Sequence, residues 1–171
     1  MKTAVAILGA TGSIGTATCD VIQNLGPPWK AVALSAHSRH RELAGLADQL
    51  RPEIVAITHS ELAAQGSRQP WPGDCRLLSG PEALIEIAAS PSVDIVVAAV
   101  VGSAGLMSTL AAAECGKRIA LANKETLVVA GELVTRTIAD SGGELIPVDS
   151  EHSAIFQAMQ AGKTKDVAKI I

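Results

Sequence analysis

The sequence predicts an α/β fold: a doubly wound, mostly parallel sheet with helices on both faces. Three observations carry this. Short β-branched or apolar runs alternate with longer helical patterns along the chain, the rhythm of repeated βαβ units. Some of the runs, Ile95–Val101 above all, are apolar without alternation, as strands covered on both faces are. The first run is followed at once by Gly9-Ala10-Thr11-Gly12-Ser13-Ile14-Gly15, a glycine turn that opens a helix.

Each element has its own signal in the sequence. Thr3–Leu8 is the first strand. A helix follows over about Ser13–Asn24 and stops at Gly26-Pro27-Pro28. Lys30–Ser35 is the second strand, followed by a helix near Arg39–Leu50 with Ser38 as its N-cap and Pro52 beyond its end. Ile54–Ile57 is the third strand, and Glu61–Gln65 makes one or two helical turns. Gly66, Pro70, Pro72 and Gly73 mark the loosest loop of the chain. Leu77 and Leu78 sit in a short strand. Ser79 and Glu82 have the spacing of a capping box, opening a helix to Ala89. Asp94–Val101 is a strand and Leu106–Cys115 a helix, with Gly116 just past its end. Ile119–Leu121 is a strand. Lys124–Ala139 is a helix capped by Asn123 and closed by Gly142-Gly143. Leu145–Val148 is a strand, a helical turn lies around Ser153–Gln160, and Val167–Ile171 reads as one more strand, stopping as a chain cut short would.

Composition narrows the function. A chain of 171 residues holds one domain, or one domain and the start of another. With 48% hydrophobic and 18% charged residues it is not disordered. A net charge of −3, and aromatics limited to Trp29, Trp71 and Phe156, give neither the basic field nor the stacking platform of a nucleic-acid binder. Cys19, Cys75 and Cys115 lie far apart with no C-x-x-C, which fits a reducing cytoplasm, and no signal peptide precedes the first strand. Ile95–Ala113 is uncharged and long enough to suggest a membrane span. Gly102, Ser103, Gly105, Ser108 and Thr109 interrupt it, and Asp94 and Glu114 flank it, so it reads as strand, turn and helix, with no membrane partner.

The chemistry gathers at strand ends. Gly9–Gly15 has the spacing G-x-x-G-x-x-G, a variant of the dinucleotide fingerprint. Its glycines allow close backbone approach, and a helix N-terminus presents free N–H groups to a pyrophosphate. The second strand ends without the acid that would hold a ribose 2′-hydroxyl. Ser38 and Arg39 instead offer a hydroxyl and a guanidinium suited to a 2′-phosphate, pointing to NADP; which of Ser38, Arg39, His40 and Arg41 touches it stays open. Lys124, after the strand Ile119–Leu121, either neutralises an anionic substrate or is a solvated partner of Glu125. Asp149 and Glu151 either face one hard cation, Mg²⁺ or Mn²⁺, or simply enrich a helix first turn in acid. His59 has no partner pattern, and Cys115 has no base nearby in sequence.

Taken together, Gly9–Gly15, Val101-Gly102-Ser103-Ala104-Gly105-Leu106, Leu121-Ala122-Asn123-Lys124-Glu125-Thr126-Leu127-Val128 and Pro147-Val148-Asp149-Ser150-Glu151-His152-Ser153-Ala154-Ile155-Phe156-Gln157 resemble the 1-deoxy-D-xylulose 5-phosphate reductoisomerase family in order and spacing. The resemblance implies an NADPH-dependent enzyme of isoprenoid synthesis. A phosphosugar is rearranged with Mg²⁺ or Mn²⁺ and reduced to 2-C-methyl-D-erythritol 4-phosphate. It implies that Thr11, Gly12, Ser13 and Ile14 hold the cofactor's pyrophosphate and that Asn123 and Glu125 lie on the cofactor side. Lys124 and Ser150 contact substrate, Asp149 and Glu151 bind metal, and Lys124, Ser150 and Glu151 count as catalytic. It further implies a Rossmann-type cofactor domain over residues 1–148 and the start of a truncated catalytic domain over 149–171. The whole enzyme would be a homodimer, and this chain alone would bind NADPH without completing catalysis. Two positions depart from the family: His37-Ser38-Arg39 replaces a Gly-x-Asn type turn, and Thr126 stands where Ser is usual. The rival readings are another Rossmann-type NADP-dependent reductase, such as a homoserine or semialdehyde dehydrogenase, and a free-standing NADP-binding module.

Overall fold

The apolar runs fold as strands and the amphipathic stretches as helices. The computed structural model describes residues 3–66, 69–163, 165 and 167–170. The strands are β1 (Thr3–Leu8), β2 (Trp29–Ala36), β3 (Ile54–Ile57), β4 (Arg76–Ser79), β5 (Ile95–Ala98), β6 (Arg118–Leu121) and β7 (Glu144–Pro147). The helices are α1 (Ser13–Leu25), α2 (His40–Leu50), α3 (Ser60–Gly66), α4 (Glu82–Ala89), α5 (Leu106–Glu114), α6 (Glu125–Ser141) and α7 (Ser150–Met159), with a 3-10 turn at Gly102–Gly105 before α5.

All seven strands join one sheet in the order β4-β3-β2-β1-β5-β6-β7, and every neighbouring pair is parallel. The chain winds outward from β1 to β4, crosses back, and winds outward again from β5 to β7. The order therefore reverses between β1 and β5, where Leu8 stands opposite Ala98. Ligands of open α/β sheets bind outside the carboxyl ends of the strands at such a reversal.

The alternation of side chains along buried strands divides the core in two. On one face Ile7, Leu34 and Ile57 pack with Cys19 and Ile22 of α1 and Leu43 of α2. On the other, Leu8, Val96 and Ile119 pack with Ile87 of α4, Ala112 of α5 and Val134 of α6. Each fully buried Ile, Leu or Val stabilises the fold by about 1.5–3 kcal/mol, so both faces contribute to the same rigid sheet.

Three local expectations are corrected. Ser38 does not cap α2: the helix begins at His40, Arg39 holds the cap position without a side-chain bond to the helix backbone, and the Ser38 carbonyl accepts from the His40 N–H at 2.9 Å. Ser79 forms no capping box with Glu82, because it stays in the β4 ladder opposite Ile57 and Pro81 takes the cap position of α4. The strand expected at Val167–Ile171 is not there among the described residues 167–170, which pair with no neighbour; Ile171 lies outside the described residues. Ile95–Ala113 resolves into β5, the 3-10 turn and α5 as expected, and among the described residues no helix is long and apolar enough to cross a membrane.

Candidate functional site

Two centres lie along the carboxyl edge of the sheet. The first is a crevice of about 510 Å³ over the β1/β5 reversal, floored by Gly9, Thr11 and Gly12. Its far end is formed by Ser35, His37, Ser38, Arg39 and Thr58, and its near wall by Ala99, Val100 and Val101.

The floor depends on close backbone packing. Gly9 has φ +88°, and a Cβ there would sit 2.6 Å from the Ala99 carbonyl oxygen. A Cβ on Gly15 would collide with the Gly9 carbonyl and the Ala10 backbone. These two glycines let the loop lie flat on β5 and the first turn of α1 lie flat on the loop. Gly12 is different. It is extended, with φ −79° and ψ 170°, and a Cβ there would meet only the Gly9 carbonyl, at 3.3 Å. A Cβ at Gly12 would therefore press on one backbone oxygen and meet nothing else within 4 Å. Gly12 holds the cap position of α1 with no side-chain cap and no acid in the first turn, so the first N–H groups of the helix are offered to an anion.

Buried Ser35 holds the loop from β2. Its Oγ accepts from the Gly9 N–H at 3.0 Å and its carbonyl accepts from the Ala10 N–H at 2.7 Å. Of the four basic or hydroxyl candidates after β2, Ser38 and Arg39 line the crevice. Arg39 pairs with Glu42 at 3.2 Å, while His40 turns Nδ1 toward the Ser38 carbonyl at 3.2 Å. Thr11 is buried in the loop, and Ser13 and Ile14 stand exposed at the start of α1.

Asn123 acts from below the wall. It is buried, and its Nδ2 donates to the Val100 carbonyl at 2.5 Å and the Gly102 carbonyl at 2.7 Å. Its Oδ1 accepts from the Thr126 N–H at 3.3 Å, so it also caps the start of α6. Glu125 is exposed in the first turn of α6.

The second centre is a cavity of about 290 Å³ at the ends of β6 and β7, lined by Lys124, Asp149 and His152 among apolar residues including Phe156. Parallel pairing of Leu121 with Pro147, extended by the Val148 N–H donating to the Leu121 carbonyl at 2.9 Å, brings these distant segments together. Asp149 caps α7. Its Oδ1 accepts from the His152 N–H at 2.9 Å, and its Oδ2 lies 2.6 Å from His152 Nδ1. The backbone bond from His152 is the main reason its carboxyl is held below the usual carboxylate range, with the His152 ring and the Lys124 charge acting in the same direction. Ser150 Oγ donates to Glu151 Oε2 at 2.7 Å and is the main cause of a lowered Glu151 pKa; Lys124 lowers it further and Asp149 opposes. Lys124 thus acts electrostatically on both carboxylates. Among the described residues no group of three or more His, Cys, Asp or Glu is placed to hold a metal ion.

The thiols take no part. Burial pushes Cys19 up to about 11 and also raises Cys75, so neither is a ready thiolate at neutral pH. Sequence reasoning missed the contribution of Thr58 to the crevice and the contact of His59 with His37. Their signal is topological: both follow β3, and only the pairing of β3 with β2 places them beside the residues that follow β2.

The profile of the family 1-deoxy-D-xylulose 5-phosphate reductoisomerase matches residues 5–131. The reductoisomerase of Rhodopirellula baltica is 47% identical over 178 aligned residues, covering 94% of this chain and 39% of that protein. The structure of the enzyme from Zymomonas mobilis in complex with NADPH matches with a TM-score of 0.88 and 39% identity, covering 92% of this chain and 41% of that one. A crystal structure of DOX-P reductoisomerase in complex with magnesium matches with a TM-score of 0.87 and 44% identity, covering 96% and 42%. The chain spans about two fifths of the length of these relatives.

Proposed function

This chain belongs to the 1-deoxy-D-xylulose 5-phosphate reductoisomerase family, and from that premise we propose that its glycine-loop crevice is the NADPH site of that enzyme's rearrangement and reduction of 1-deoxy-D-xylulose 5-phosphate. The carrying observation is Gly12. It sits at an uncapped helix N-terminus with open space above it, where a dinucleotide pyrophosphate would take the N–H groups of the α1 first turn. Thr11, Ser13 and Ile14 flank that position. Ser38 and Arg39 stand at the far end, where the 2′-phosphate would lie. Asn123 serves the same site indirectly, by holding the Val100–Gly102 segment in place.

The second centre is the substrate side. When bound, NADPH supplies a hydride, and a divalent cation supplies a Lewis acid for the substrate's oxygens. The carboxylates of Asp149 and Glu151 are hard oxygen donors of the kind Mg²⁺ or Mn²⁺ takes, and they fill two of about six positions. His152 fixes Asp149, and Ser150 fixes Glu151, so both carboxylates are ionised and oriented before any ligand arrives. Lys124 brings a positive charge to the same cavity for an anionic substrate, and Ser150, beside the cavity, would reach that substrate only by releasing the bond it donates to Glu151. We take residues 1–148 as the cofactor domain and 149–171 as the start of the catalytic one; none of the residues of α7 is fully buried. The reading places the protein in the cytoplasm, with a homodimer as the whole enzyme's assembly. The three cysteines are free, as a reducing compartment requires.

Equilibrium fluorescence titration with NADPH and NADH tests the reading. NADPH should bind more tightly, by about tenfold or more, since a charge-assisted pairing with Ser38 and Arg39 is worth roughly 1.5–3 kcal/mol. Equal affinities, or a preference for NADH, would reject it.

A further inference from the structure

Resting on the NADPH reading, we propose that His37 is a specificity-determining residue that donates from Nε2 to the cofactor's 2′-phosphate, with Thr58 as the positioning residue that aims it. In open α/β sheets of this type the side chain just past the second strand meets the adenosine ribose. An acid there accepts from its hydroxyls in NAD sites. Here that place is taken by His37, which immediately follows β2 and lines the crevice beside Ser38 and Arg39.

The backbone makes this a stiff position. Backbone bonds continue past the last paired residues of the β2–β3 ladder, Ala36 and Ile57: the Thr58 N–H donates to the Ala36 carbonyl at 3.0 Å and the His59 N–H to the His37 carbonyl at 3.0 Å. His37 and His59 are therefore tied together by backbone just past the strands, where both segments bend. The two rings pack with centroids 5.2 Å apart and planes tilted by 56°. His59 Nδ1 is buried and bonds nothing, so the His59 ring is placed by packing and serves as a wall for His37.

The hydrogen bonds then select a nitrogen. His37 Nδ1 lies 2.8 Å from Thr58 Oγ1, which leaves Nε2 for a ligand. If the Thr58 hydroxyl donates to Nδ1, the neutral ring carries its proton on Nε2. If the ring is an imidazolium, Thr58 accepts and Nε2 again carries a proton. Both states present an N–H donor, and a phosphate selects them over the one remaining neutral tautomer. The basic run around His37, with no acid before Glu42, leaves little to repel a dianion. Arg39 is a weaker anchor than its charge suggests, since Glu42 already engages it.

The test is equilibrium titration of the 171-residue chain with NADPH and with NADH. His37→Phe keeps a ring against His59 and removes the donor. It should weaken NADPH about tenfold and leave NADH unchanged. His37→Leu, which likewise carries no donor and sits at an exposed position, serves as the second variant and should give the same split if His37→Phe disturbs folding. Thr58→Val should weaken NADPH by a few fold, again without touching NADH, and Thr58→Ser should restore it; a purely structural role for Thr58 would lower both affinities together. Equal loss for the two dinucleotides in the His37 variants would mean that the ring contacts the shared adenosine, and no loss would mean that it contacts nothing; either overturns the proposal. A parent chain with no preference for NADPH would sink the cofactor reading itself. A parent that prefers NADPH, with His37 variants that keep the preference, would sink only the role of His37.

Discussion

The crevice over the β1/β5 reversal and the cavity at the ends of β6 and β7 lie on one edge of one sheet, yet they are built from different materials. The first is made of backbone. Gly9 and Gly15 allow contacts that no side chain permits, buried Ser35 ties the loop to β2, and buried Asn123 ties the wall to α6. The second is made of side chains. Lys124, Glu151 and His152 are exposed, and the two carboxylates satisfy themselves on their nearest neighbours. A site of tight backbone contacts is formed before its ligand comes. A site of exposed side chains is charged and oriented, but completes its shell only with ligands from elsewhere. The expected separation is of binding from chemistry: the chain binds NADPH and does not turn over substrate.

The largest effect should come from Gly15→Val. A Cβ at Gly15 collides with the Gly9 carbonyl, and overpacking of this kind costs about 3 kcal/mol or more, so both the thermal midpoint and NADPH binding should fall. Gly12→Val is the informative contrast. A Cβ there presses only on the Gly9 carbonyl, at 3.3 Å, so stability should fall by about 1 kcal/mol while NADPH affinity drops more than about 100-fold, because Gly12 lines the crevice. A Gly12 variant that keeps full affinity would remove the glycine loop from the site.

Asn123→Leu probes the link between the two regions. It takes the donor from the part-buried carbonyls of Val100 and Gly102, and leaving such an acceptor unpaired costs up to about 1–3 kcal/mol. Thermal denaturation should show that loss, and NADPH titration a weakening of several fold, with Mn²⁺ binding unchanged. For the second region, NADPH oxidation followed by absorbance with 1-deoxy-D-xylulose 5-phosphate and Mn²⁺ should stay far below about 1 s⁻¹. Turnover at that rate or faster would break the contrast. Glu151→Gln should weaken an already weak Mn²⁺ affinity and leave NADPH affinity intact, by calorimetry.

The smallest expected effect is on pH. The Asp149 carboxyl is held low by the His152 N–H, so the cap it gives α7 is fully present above the ordinary carboxylate range and is lost as pH falls through the lowered value. Titration of the Asp149 carboxyl by NMR, alongside the α7 amide shifts, should show both changes together. Cap loss at a higher pH than that of an ordinary aspartate would contradict the sign.

Much of this was legible in the residues alone. Strand and helix alternation comes from local hydrophobic pattern, and the glycine spacing at a strand–helix junction is a local requirement, so both can be read along the chain. The caps at Ser38 and Ser79 misled for a reason that is equally physical. Each residue has the chemistry of a cap, but neighbouring structure had another use for it: Ser38 faces the crevice, and Ser79 completes a ladder with β3. The bend of α6 at Ala130, beside Gly131, was not signalled by a proline.

What the sequence by itself determined is the set of parts: a parallel α/β sheet, a glycine turn that opens a helix, a second strand without an acid, and Lys124, Asp149 and Glu151 at strand ends. What only the tertiary structure decided is which parts meet. The Lys124 charge acts on the carboxylates because β6 and β7 are neighbours, and His37 meets Thr58 and His59 because backbone bonds tie together the segments that follow β2 and β3. Hydrogen bonding between strands is a long-range choice, made by burial on both faces of the sheet, and it leaves no periodic mark on the residues it brings together.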